Sequence, residues 1–63
     1  PPHIPVGAVV IFSTPRAADE AMRVAEFRTL VLRRLGDRHV VTRDGVDAQQ
    51  AQAVLNAHGF GEP

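Results

Sequence analysis

A chain of 63 residues is one small domain, of a size at which an isolated core is marginal and disulfides, a structural metal or self-association usually add stability. It contains no cysteine, which excludes disulfides, thiolate metal sites and dithiol redox chemistry within it and leaves self-association as the open route. Seven basic residues, all arginine, balance seven acids, so the broad attraction to phosphate of a strongly basic domain is not expected.

Pro1 to Pro5 holds three prolines and predicts an extended arm. Val6 to Phe12 reads as a strand, apolar at nearly every position and without alternation, the pattern of a strand covered on both faces. Gly7 within it marks a bulge or a close backbone approach. Ser13-Thr14-Pro15 is a helix start, because a hydroxyl caps free amides and proline suits the first helical position. Asp19 and Glu20 follow near that positive end. The apolar spacing predicts one helix over 15–35, stopped by Gly36. Such a helix is about 31 Å long and overhangs a strand of about 23 Å.

Arg38 to Arg43 predicts a second strand, and Asp44-Gly45 a turn. Asp47, with Gln50 three residues on, caps a second helix that ends at Gly59. The expected fold class is α/β, a single small β-α-β-α domain over residues 6–59 with an arm at 1–5 and a tail at 60–63. The long crossover allows its two strands to be parallel, with the usual right-handed connection. No stretch approaches the roughly 20 apolar residues of a membrane span, and Pro1-Pro2-His3 has no charged region leading an apolar one, so a soluble, cytoplasmic protein is expected. The arginine-only, Ala- and Val-rich composition suggests high-GC coding, bacterial or phage.

Wound at the helical period, residues 15–35 place their apolar side chains on an arc of about 220°, wider than one sheet needs. The expected self-interface is Val24, Phe27, Arg28, Val31, Leu32 and Leu35 on that arc. Arg28 sits near its middle and must snorkel, pair with an acid or reach a partner. Leu30 falls on the opposite, polar side with no explanation. Helix 47–58 presents Ala51, Val54 and Leu55 on one face and covers one side of the sheet, which leaves the other side for a second subunit.

Ser13, Thr14 and Arg16 at a helix start are candidate anion ligands, although the glycines of a phosphate-binding loop are missing and capping accounts for the same residues. "VVIFSTP" before a helix, with "HGFGEP" downstream, resembles the opening of thioredoxin-like and glutaredoxin-like domains. The paired cysteines of those families would fall just after Pro15, where Arg16, Ala17, Ala18 and Asp19 stand, so redox activity is not implied. Pro1 resembles the amino-terminal base of small tautomerase-like oligomers, which implies proton transfer by a free amine titrating near neutrality. In that family the strand begins almost at residue 2, whereas here it begins at Val6. His3, His39 and His58 lack ligand spacing, so no metal is expected, and no nucleophile or carboxylate pair is visible.

The expected function is a non-enzymatic, homo-oligomeric interaction or scaffolding module, most simply a dimer, of an accessory or regulatory kind, without cofactor. One alternative is a nucleic-acid-binding regulator presenting Arg16, Arg23, Arg33, Arg34, Arg38 or Arg43 from a dimer. The other is a tautomerase-like enzyme using Pro1.

Overall fold

A computed structural model describes residues 6–60. Six elements follow in order: β1 (Val6–Ile11), α1 (Pro15–Ala21), α2 (Ala25–Arg28), β2 (Val31–Arg34), β3 (His39–Arg43) and α3 (Ala48–Ala57). The protein is a small α/β domain with a three-stranded sheet of order β1-β3-β2, in which both outer strands run antiparallel to β3. The expected β-α-β-α order with two parallel strands is corrected accordingly. The arm at 1–5 and most of the tail at 60–63 lie outside the described residues.

The largest difference is in the segment expected to be one helix. Thr14 caps α1 as anticipated, its extended backbone placing Oγ1 3.1 Å from the Ala17 amide, and Pro15 occupies the first turn. The helix nevertheless closes after two turns with tight bonds from the Arg23 and Val24 amides to the Glu20 and Ala21 carbonyls. Val24 is extended and opens the single turn of α2, and Val31–Arg34 pairs with β3 as a strand. The physical reason is tertiary: β3 has two edges, and its residues Val40, Val41 and Thr42 are all buried, which a two-stranded sheet would not achieve. Strand pairing satisfies β2 backbone groups and encloses Val31, outweighing a modest preference for helix. Gly36 lies in the β2–β3 connection at φ 151°, and is not a helix cap.

Arg34 braces that connection. Its Nε donates to the Gly36 carbonyl at 2.9 Å, one terminal nitrogen to the Asp37 carbonyl at 2.6 Å and the other to Asp19 of α1 at 2.7 Å.

The second irregularity is a bulge in β1, where Val6 pairs with Arg43 but Val9 already pairs with Val41. The Ala8 amide donates to Thr42 Oγ1 at 2.8 Å, and that hydroxyl donates to the Val46 carbonyl at 2.7 Å. Gly7 is required by this close approach, since a Cβ there would overlap Thr42 Oγ1 and the carbonyl oxygens of Arg43 and Val46.

The helices pack on one face of the sheet around Phe12, Ala18, Ala21, Phe27, Val31, Val40, Ala51 and Leu55. Phe12 and Phe27 meet edge to face with centroids 6.2 Å apart. Asp47 accepts from the Gln50 amide at 2.8 Å and starts α3 as expected. At its other end Gly59, at φ 88°, turns the chain so that the Phe60 amide reaches the Leu55 carbonyl and the ring packs on the core.

Candidate functional site

Alternation along β1 and β3 sorts their side chains between two faces. Val10 and Val40 are paired and join the core cluster beneath the helices. Val9 pairs with Val41, which pairs on its other side with Arg33, and Ile11 pairs with His39, whose carbonyl accepts from the Leu35 amide. These residues form the sheet face turned away from the helices. Val41 is buried there outside the core cluster, between its strand neighbours, while Val9 is 52%, Ile11 63% and Leu35 49% exposed. Leu32, the extra residue at the β2 irregularity, and Val6 are also large exposed apolar side chains. A sheet face with exposed Val9, Ile11 and Leu35, which no element among the described residues covers, is the feature that most needs explanation.

The backbone supplies a second feature at the same strand. The Phe12 amide donates to the Arg38 carbonyl and the Ala8 amide to Thr42, so the even-numbered residues of β1 address β3. Val9 and Ile11 therefore direct their amides and carbonyls to the side of β1 that no strand among the described residues pairs with. Between that edge and α3 lies an open groove of about 990 Å³, floored by Val10, Phe12, Ala17, Leu55 and Phe60, with the bonded pair Gln52 and Asn56 on its rim.

No family model, curated protein or solved structure matches this chain. The candidate site accordingly rests on its own geometry.

The structure separates the residues expected at a self-interface. Phe27 is fully buried and Val31 nearly so, both within the core of the chain itself, so neither is exposed for a partner to meet. Val24 is half-buried against that core. Arg28 is exposed in the last turn of α2, and Leu32 and Leu35 are exposed on or beside β2. Breaking the helix distributes a single apolar arc between the inside of the molecule and its sheet. Val9 and Ile11, which sequence reading placed only in a doubly covered strand, become the main exposed apolar positions.

The candidate anion ligands are engaged otherwise. Thr14 Oγ1 caps α1, the Ser13 carbonyl lies 3.5 Å from an Arg38 nitrogen, and Arg16 is highly exposed with Glu20 3.5 Å away. Two arginines of the nucleic-acid alternative also bond to backbone carbonyls. Arg34 is tied to the β2–β3 connection, and Arg43 donates to the Thr29 carbonyl at 3.1 Å. A His58 ring nitrogen lies 3.0 Å from the Val54 carbonyl at the end of α3. Among the described residues, no group of three or more His, Asp or Glu side chains is placed to hold a metal ion, and no helix is long and apolar enough to cross a membrane. Pro1 and His3 lie outside the described residues.

Proposed function

We propose that the protein is an interaction module that self-associates through β1 and the outer face of its sheet. The observation that carries this reading is the exposed row of Val9, Ile11 and Leu35 on a face that no element of the described chain covers. Covering apolar surface is worth about 25 cal/mol per Å², and a chain of this size has little other stabilisation to draw on. Val9, Ile11 and Leu35 supply exposed apolar area on this face, with Arg33 and His39 beside them, a mixture of apolar and polar groups suited to association. The chain carries no net charge, so two copies approach without long-range repulsion.

Light scattering on the purified protein tests the reading directly. The expected result is a dimer at micromolar concentration that Ile11→Asp converts to a folded monomer, because Ile11 is exposed and its replacement leaves the core intact. A 6.8 kDa monomer for the unaltered chain across that range overturns it.

A further inference from the structure

We infer that Asp44-Gly45, in the turn between β3 and α3, is a site of spontaneous backbone modification, where the chain rearranges to a β-linked aspartate and loosens the buried Thr42 anchor beside it.

The turn is closed at its base and open at its tip. The Val46 amide donates to the Arg43 carbonyl at 3.1 Å, while Asp44 and Gly45 between them are both exposed. Gly45 takes φ 89°, has no side chain to stand between its amide nitrogen and the Asp44 carboxyl group, and would meet nothing within 4 Å if it carried a Cβ. Among the described residues no acceptor bonds the Gly45 amide, and no donor or cation holds the Asp44 carboxylate.

A carboxyl group and the next amide in one chain are joined closely enough to react without a catalyst. The carboxylate takes up a proton from solvent and the Gly45 nitrogen gives up its own. That nitrogen bonds to Asp44 Cγ, and one carboxyl oxygen leaves with both protons as water, closing a succinimide ring. Water then adds to one of the two ring carbonyls. Breaking the bond from nitrogen to Cγ restores aspartate. Breaking the bond from nitrogen to the main-chain carbonyl carbon leaves the chain running through Cβ and Cγ, with the carboxylate on Cα. The water lost is regained, so composition is unchanged.

The other described aspartates lack this combination. Asp19 lies within α1 and its carboxylate accepts from Arg34 at 2.7 Å. Asp47 accepts from the Gln50 amide at 2.8 Å and is followed by the first residue of α3. Asp37 is exposed but precedes Arg38, whose side chain crowds the amide that would have to attack. The consequence at Asp44 follows from what the turn carries. The β-linked backbone is longer by the Asp44 methylene, whereas Val46 is fixed by its amide to Arg43 and by its carbonyl to the buried Thr42 hydroxyl at 2.7 Å. The added length works against both bonds.

Incubation of the folded protein in heavy-oxygen water at neutral pH, with peptides mapped over time by electron-transfer mass spectrometry, tests the site. The expected result is heavy oxygen and β-linkage accumulating at residue 44 several-fold faster than at Asp19, Asp37 or Asp47. Asp44→Glu, which keeps the charge but would need a larger ring, is expected to fold and to show neither at that position. The β-linked fraction, separated by reversed-phase chromatography and refolded, is expected to melt below unmodified protein, while Asp44→Glu incubated in parallel keeps its melting temperature. Uptake at residue 44 no faster than at the other three aspartates overturns the site. Uptake confined to the denatured chain also overturns it, because the native turn then holds the amide away from the carboxyl group. A β-linked fraction that melts with the unmodified protein overturns the loosening of the Thr42 anchor.

Discussion

Gly7 and Thr42 show how one contact sets the register of a sheet. The bulge in β1 exists because the Ala8 amide finds the Thr42 hydroxyl in place of a backbone carbonyl, and that hydroxyl in turn anchors the Val46 carbonyl ahead of α3. Thr42 is fully buried, so Thr42→Val keeps the shape and leaves the Ala8 amide and the Val46 carbonyl without this partner. The expected loss is about 1–3 kcal/mol in chemical denaturation. Gly7→Ala is expected to cost a comparable about 1–3 kcal/mol by overpacking, because the atoms it meets include two backbone oxygens that cannot swing aside. Gly7 was legible in the sequence as a bulge or close approach because glycine inside an apolar strand has few other uses. Its contact with Thr42 was not, since the two are 35 positions apart and only the β1–β3 pairing joins them.

The elements divide by how local their determinants are. Both hydrogen-bonded helix starts, at Thr14 and Asp47, follow from a capping side chain within three residues of its amide. Thr14→Ala or Asp47→Ala is expected to cost about 0.5–2 kcal/mol by the same denaturation measurement. The segment from Val24 to Leu35 carries a helical pattern because Val24, Phe27, Val31 and Leu35 recur at spacings of three and four, which a helix and an irregular turn-then-strand both permit over so short a stretch. Two residues signalled the conflict. Leu30 fell on the polar side and Arg28 within the apolar arc, and both are explained once the helix ends at Arg28: Leu30 becomes half-buried and gives its carbonyl to Arg43, while Arg28 stays in solvent. The β2–β3 connection then depends on Arg34. Arg34→Met is expected to destabilise the fold more than Asp19→Asn in matched denaturation experiments. The partly exposed ion pair contributes at most about 1 kcal/mol, whereas Arg34 also holds two backbone carbonyls.

For the whole molecule, the rearrangement separates the residues that hold the fold from those on which the proposed self-association rests. Phe27 and Val31 are buried in the core, and Leu35 and Ile11 are exposed. Val31→Asp is therefore expected to unfold the chain, seen as loss of cooperative melting, because it buries an unpaired charge. Leu35→Asp is expected to keep the melting transition and weaken self-association in light scattering. A selective loss of association by Val31→Asp, with the fold retained, would contradict the placement of Val31 in the core.

The elements whose signals are local could be read from the chain: the β1 strand, the capped starts of α1 and α3, and the β3 strand. Those features depend on neighbours a few residues away, and side-chain chemistry at that range is readable in order. Long-range pairing makes Val31–Arg34 a strand, sets β3 at the centre antiparallel to both neighbours, and leaves Val9 and Ile11 on the side of β1 that no described strand pairs with. These outcomes arise from pairings between residues far apart in sequence, whose energy exceeds the small local preference that would have kept the helix whole.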